Sequence, residues 1–203
     1  MNGNENSART PRANTSMTTW LAMLRGINVG GRRMVSMQRL RELFESMEFT
    51  EVRTYIQSGN VIFQAPIGDY TTLAQAIEDK IGRELGVDTK AVLRTSTQIG
   101  DVVNAIPFAQ QANVKSTVHV TFLAADPNLT MVEQLDASQF LPDRFAVGIR
   151  EIYLDCPSGY GETRLNNAFW ERRLKVVATT RSYKTVVALL EMVDPWSVPT
   201  NSN

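Results

Sequence analysis

Three short runs gather the side chains that could hold a charged ligand. The first is Leu24-Arg25-Gly26-Ile27-Asn28-Val29-Gly30-Gly31-Arg32-Arg33, with three glycines and three arginines at the exit of an apolar segment. An arginine fork makes bidentate contacts to phosphate or carboxylate. Glycine lets backbone N–H groups come close to an anion. In that chemistry Arg25, the Asn28 side chain and the backbone around Gly26, Gly30 and Gly31 form the cradle. The plainer alternative is a tight turn, with Asn28 satisfying the backbone and Arg25 paired to an acid. The run is not a P-loop, because no Gly-Lys-Ser/Thr follows. Its glycine spacing does not fit a dinucleotide fingerprint either.

The second run, Tyr55-Ile56-Gln57-Ser58-Gly59-Asn60, packs Gln57, Ser58 and Asn60 into one turn. Turns favour Ser, Gly and Asn for backbone reasons, and self-bonding is the simpler assumption for those side chains. Tyr55 and Gln57 are less easily explained that way. The third run, Thr179-Thr180-Arg181-Ser182-Tyr183, joins a strand end to a helix start. Hydroxyls, a guanidinium and the free N–H groups of a helix N-terminus meet there, a sensible anion site. Capping by Ser182 beside a surface arginine competes with that reading. The candidate ligand-binding set is therefore Arg25, Gly26, Asn28, Gly30, Gly31, Tyr55, Gln57, Ser58, Asn60, Thr180, Arg181 and Tyr183.

Other chemistry is sparse. One histidine, His119, and one cysteine, Cys156, among 203 residues leave no zinc set. His119 sits in an apolar strand, and Cys156 precedes Pro157 without a nearby histidine to activate it. No metal or cofactor is expected. Twenty-one Lys+Arg balance twenty-one Asp+Glu. That balance argues against a generic polyanion binder, which needs a basic face. Arg164, Arg172, Arg173 and Lys175 mark a basic helical side, in most proteins simply a solvated face. A single cysteine excludes an internal disulfide and fits a reducing compartment, so a cytoplasmic location is expected. No apolar run nears the ~20 residues of a membrane span. The first sixteen residues are polar and carry no signal-peptide core.

The elements that must position these runs follow from periodicity. Trp20 to Ile27 is apolar on both faces, which predicts a central strand covered on both sides. Ser36 caps a helix bearing Met37, Leu40, Phe44 and Met47. Glu51 to Ala65 alternates around a glycine turn, a hairpin. A helix from Asp69 carries Leu73, Ile77 and Ile81 and stops at Gly86. Thr89 to Thr95 is a strand, and Ser96 caps a short helix that ends at Pro107. The second half repeats the order: a strand over Thr117 to Leu123, a helix from Asn128, two short strands between Arg144 and Asp155, a helix over Thr163 to Leu174, a strand over Val176 to Thr180, and a last helix over Ser182 to Val193. The expected fold is thus α+β, a tandem duplication of two ferredoxin-like (βαββαβ) subdomains, each with an added C-terminal helix. The halves span residues 18–107 and 114–194, flanked by a disordered tail over 1–17 and a loose tail over 195–203.

Three of these stretches carry a resemblance. Leu24-Arg25-Gly26-Ile27-Asn28-Val29-Gly30-Gly31, Thr54-Tyr55-Ile56-Gln57-Ser58-Gly59-Asn60-Val61 and Thr179-Thr180-Arg181 resemble the bacterial family called domain of unknown function 1697. The resemblance runs from about Thr18 to Val193. It implies a pair of ferredoxin-like subdomains and no established function. The third stretch departs from the family pattern, where Thr-Thr-Arg-Asn-Trp-Asn-Thr is usual and Ser182, Tyr183 and Lys184 stand here. Upstream, Thr163-Arg164-Leu165 stands where the family often has Ser-Lys-Leu. If those positions touch a ligand, this chain binds it differently.

These readings lead to a small anionic ligand held in or near the cleft between the halves, with catalysis left open. In one ferredoxin-like unit we expect the end of strand 1 at the sheet edge opposite the strand 2–3 turn, so the first two runs should not share a pocket unless the fold bends or the second half intervenes. Packing of one half on the other could bring two of the three runs together, and the sequence does not reveal which two. The third run is expected on the same kind of edge as the second. An alternative is a single-stranded nucleic-acid module using sheet-face aromatics, Tyr55 and Phe63, although no RNP pattern is present and the net charge is zero. A third is an assembly protein, monomer or homodimer, using open sheet faces.

Overall fold

The computed structural model describes residues 16–28, 34–108, 110 and 113–193. Of the expected tails over 1–17 and 195–203, residues 1–15 and 195–203 lie outside the described residues, as do Gly30, Gly31, Arg32 and Arg33, whereas Met17 is the first residue of a strand.

The first half is β1 (Met17–Arg25), α1 (Met37–Glu45), β2 (Thr50–Tyr55), β3 (Asn60–Pro66), α2 (Tyr70–Leu85), β4 (Lys90–Thr95) and α3 (Ser96–Asn104). The Ser36 cap and the Gly86 stop are those the sequence predicts, and Asp69, expected as the start of a helix, is the cap of α2. Ser36 accepts from the Arg39 N–H, Asp69 from Thr71 and Thr72, and Gly86 closes α2 in the left-handed region at φ 65°. At α3 the cap is Thr95 rather than Ser96, because Thr95 and Gln98 exchange reciprocal bonds with each other's backbone.

A short helix, α4 (Val114–Thr117), leads into the second half. It comprises β5 (Val118–Leu123), α5 (Leu129–Glu133), a 3-10 turn (Ala137–Phe140), β6 (Arg144–Val147), β7 (Glu151–Asp155), α6 (Asn167–Leu174), β8 (Ala178–Ser182) and α7 (Tyr183–Val193). Two boundaries differ from expectation. α6 starts at Asn167, not Thr163, because Asn166 caps it and Thr163 bonds to Asp143 instead. β8 lies two residues later than expected, pairing Ser182 with His119 and Arg181 with Val120. Arg181 is therefore inside the sheet rather than beyond its end.

Two four-stranded antiparallel sheets result, ordered β2-β3-β1-β4 and β6-β7-β5-β8. The chain is a mixed α+β protein in two halves. α1 and α2 cover one face of the first sheet, burying Trp20, Ala22 and Leu24 of β1. Leu21 and Met23 of the same strand face the other way, into a shared core with α3, α7 and Val118, Val120 and Phe122 of β5. The outer face of the second sheet packs on α6 around Trp170 and Leu165. The helices that follow each sheet thus form a middle layer, and β1 is apolar on both faces for that reason.

The layering and the strand register overturn four expectations. Phe63 is completely buried and Tyr55 packs against the shared core, so neither ring offers a sheet-face platform. The sheet faces proposed for assembly are the ones the helices and the other half cover. Finally, β1 and β3 are antiparallel neighbours with Met23 opposite Asn60, and Leu24 N–H donates to Gly59 C=O at 2.8 Å. Antiparallel pairing sets the end of one strand beside the start of the other. The first two runs therefore meet instead of lying at opposite edges. Nor does the third run share the second's edge by sheet position: the end of β8 lies beside the start of β5. It reaches the second run across the boundary between halves.

Candidate functional site

Arg181 joins all three runs. Strand alternation puts Thr179 and Arg181 on one face of β8, and the guanidinium crosses into the first half. Its Nε donates to Asn60 Oδ1 at 2.7 Å. Nη2 donates to Leu24 C=O and Ser58 C=O, and Nη1 to Thr179 Oγ1 and Thr180 C=O. Burial pulls the guanidinium down to about 10, which leaves it charged at neutral pH. Asn60, fully buried, uses its Nδ2 on Tyr55 C=O and Ser58 Oγ. Gly59 sits at φ 74°, and a Cβ there would lie 2.2 Å from Ile27 Cγ2, so the second run reaches the first only through glycine.

Most of the other described members of the expected set are also tied within the protein. Asn28 accepts from Val35 N–H and donates to the carbonyls of Val35 and Gln57, which fastens both ends of the glycine loop. Arg25 forms a two-pronged bond to Glu171 at 3.0 Å on each prong. That bond raises the Arg25 pKa. Burial pushes the Glu171 carboxyl up, but Arg25 and the Ala178 N–H outweigh it, and the net shift is down. Thr180 Oγ1 accepts from Tyr160 and donates to Asn167. Tyr55 and Tyr183 pack against the shared core, Gly26 turns at φ 76°, and Gln57 is exposed. The described members of the three runs converge, and what they build is an interlock between the halves.

A cavity of about 300 Å³ lies elsewhere on the boundary, between α3 and the β6–β7 turn. Arg94 of β4 is its deepest polar residue, 1% exposed. Arg94 shares the inward face of β4 with Val92, and it bridges the halves. Its Nε donates to Glu151 at 2.8 Å, and Nη2 to the carbonyls of Leu123 and Arg150. Burial lowers it to about 10, with Glu151 pulling the other way. Arg150 also lines the cavity and is 7% exposed. Its guanidinium stacks on Tyr70 at 4.4 Å and reaches Gln98 at 3.5 Å, yet its Nη1 has no hydrogen-bond partner among the described residues. Val102, Ala105 and Val147 supply apolar wall, and Asp101 lines the cavity from an exposed position. Burial pushes the Tyr153 hydroxyl up to about 12, so it stays protonated and able to donate.

Sequence reasoning missed Arg94, Gln98, Arg150, Glu151 and Tyr153. Arg94 left a signal, a lone charge at an inward position of the apolar run Ala91-Val92-Leu93. Arg150 left none, since a turn arginine is ordinary. Cys156 is fully buried, with its thiol pushed up to about 11 by burial, and His119 stacks on Tyr160 with its pKa lowered by burial. Among the described residues no group of three or more His, Cys, Asp or Glu could hold a metal, and no helix is long and apolar enough to cross a membrane.

A family model described as "Protein of unknown function (DUF1697)" matches residues 17–153. The conserved bacterial protein SP0830 from Streptococcus pneumoniae has a similar structure, with a TM-score of 0.70 at 20% identity over 88% of this chain and 100% of that one. At that identity the likeness is one of fold. No curated protein matches the chain.

Proposed function

The chain belongs to the DUF1697 family, whose name carries no activity, and we propose from the geometry that it binds a small anionic ligand in the cavity between its halves. The observation that carries this is Arg150: a guanidinium that is nine-tenths buried, lines a cavity and keeps one nitrogen unbonded among the described residues. A buried donor left unsatisfied costs about 1–3 kcal/mol, and such a group calls for a partner, an ion among them. Arg94 and Glu151 pair at 2.8 Å, and of the remaining charged lining Arg150 is buried while Asp101 is exposed to solvent, so the buried positive charge facing a ligand comes from Arg150. Gln98 and the Tyr153 hydroxyl add neutral polar groups. The apolar wall suits a carboxylate with a small apolar body better than a bare inorganic ion.

The reading stops at binding, since neither Cys156 nor His119 lines this cavity. We also read each half as ferredoxin-like, supported by the strand order repeated in the two sheets. The three-run interlock then has a role in support: it holds the halves at the separation that shapes the cavity.

A thermal-shift series tests the reading, with acetate, butyrate, benzoate and inorganic phosphate against the wild type and Arg150→Met. Saturable stabilisation by the carboxylates, lost in the variant, supports it. No shift with any of the four counts against it.

A further inference from the structure

The outer side of the second half holds a second concave surface, independent of the cavity between the halves. Two adjoining cavities of about 500 and 470 Å³ share Gln139, Phe140, Phe169 and Arg172 and so form one groove between α6 and the 3-10 turn. Its floor is apolar, made of Met131, Leu135, Phe140 and Phe169, all partly buried against the core around Trp170. Its charged lining is entirely cationic: Arg164, Arg172, Arg173 and Lys175. In a chain with 21 Lys+Arg and 21 Asp+Glu, four cations along one groove without a lining carboxylate are a local imbalance.

The four cations are not equivalent. Arg164 donates to Gln139 C=O and lies over the Phe140 ring at 5.3 Å, and Arg173 donates to Met131 C=O at 3.1 Å. These two brace the walls. Arg172 and Lys175 are exposed and form no salt bridge among the described residues. They are the charges available to a partner.

From this arrangement we propose that the groove docks an acidic amphipathic peptide segment of a partner protein. Apolar side chains at helical spacing would enter the floor, and flanking Asp or Glu would meet Arg172 and Lys175. Charge complementarity fixes the sign of the partner, and the apolar floor selects a peptide over a nucleic acid. Single strands need open aromatic faces for stacking. Here Phe140 and Phe169 meet edge-to-face at 5.3 Å, and Arg164 already covers Phe140. The eight residues of α6 span about 12 Å, room for roughly two turns of a bound helix.

The test uses the full chain and a fluorescein-labelled 15-residue peptide with Leu or Phe at i, i+3, i+7 and Asp or Glu at the remaining positions. Comparators are the same composition scrambled, a 15-nucleotide oligo(U), and the variants Arg172→Glu, Lys175→Gln and Arg83→Glu, with folding checked by circular dichroism. Arg83, exposed on α2, controls for bulk charge. The proposal predicts micromolar binding of the amphipathic peptide at about 50 mM salt, at least tenfold weakening by Arg172→Glu and by the scramble, and none by Arg83→Glu. Equal binding of the scramble, equal loss with Arg83→Glu, no binding below 1 mM, or tighter binding of oligo(U) overturns it. The last result would assign the groove to nucleic acid.

Discussion

Arg181 of the second half donates its Nε to the buried Oδ1 of Asn60 in the first half, at 2.7 Å. One side chain thereby connects three stretches that are far apart in sequence. Its other donors go to Leu24, Ser58, Thr179 and Thr180, so it is a fastener between the halves.

Replacing Arg181 with Met should leave Asn60 Oδ1 and the carbonyls of Leu24 and Ser58 short of a donor. Buried unsatisfied acceptors cost about 1–3 kcal/mol each, so a loss of about 3 kcal/mol or more is expected. Urea denaturation measures it. Arg181→Lys should recover only part, because an ammonium cannot reproduce the planar fork. A loss below about 1 kcal/mol for the Met variant would mean the halves are held chiefly by their apolar core.

Gly59 makes a sharper local test. A Cβ there would meet Ile27 Cγ2 at 2.2 Å and Leu24 Cβ at 3.0 Å, in a backbone held at φ 74°. Gly59→Ala should therefore destabilise by about 2–4 kcal/mol, combining steric overlap with the positive-φ penalty. Gly86→Ala has the same sign of φ, at 65°, and nothing near its Cβ. It should cost only about 1 kcal/mol. Equal effects at the two sites would show that the approach of the first two runs is looser than these distances.

The Arg25–Glu171 pair predicts a pH dependence. The folded carboxyl titrates below its ordinary value of 4.5, so the unfolded chain takes up the proton first as pH falls. The pair's contribution is therefore present above about 4.5 and lost as pH drops through the lower folded value. Both side chains are roughly a third exposed, and the contribution should be about 1 kcal/mol. Urea midpoints measured from pH 3 to 7 should show a steeper acid branch for the wild type than for Glu171→Gln. Parallel branches would remove this pair from the acid response.

Arg150 should behave in the opposite way to Arg181. Its Nη1 is buried without a partner among the described residues, so Arg150→Met removes a cost along with a charge. Its melting temperature should equal or exceed that of the wild type, even though Met gives up the stacking on Tyr70. Stabilisation on removing a polar group marks a residue kept for a task other than folding. A melting temperature lowered by more than about 5 °C would make Arg150 structural.

Much of the architecture was legible because burial writes itself into periodicity. The two-sided apolar pattern of β1, the cap at Ser36, the helix start at Asp69 and the glycine stop at Gly86 each report a local physical need. The boundaries of α6 and β8 were not legible. They depend on Asn166 capping one element and on the pairing of β8 with β5, and neither competitor is visible locally. The candidate site was harder. The three runs stand out because they must interlock across the chain, and a sequence displays that demand in the same residues that a ligand site would use. Arg150 is quiet in sequence because its burial comes wholly from the packing of one half on the other.

The central claim is that an anion binds beside Arg150 in the cavity between the halves. The most direct measurement is a titration of the isotope-labelled protein with butyrate, followed by ¹H–¹⁵N spectra that include the arginine side chains. Saturable shifts at the Arg150 guanidinium and at the amides of Gln98, Val102 and Gly148, absent in Arg150→Met, are the predicted result. Shifts centred on Arg25, Asn28 and Gln57, or no saturable shift at all, would contradict the claim.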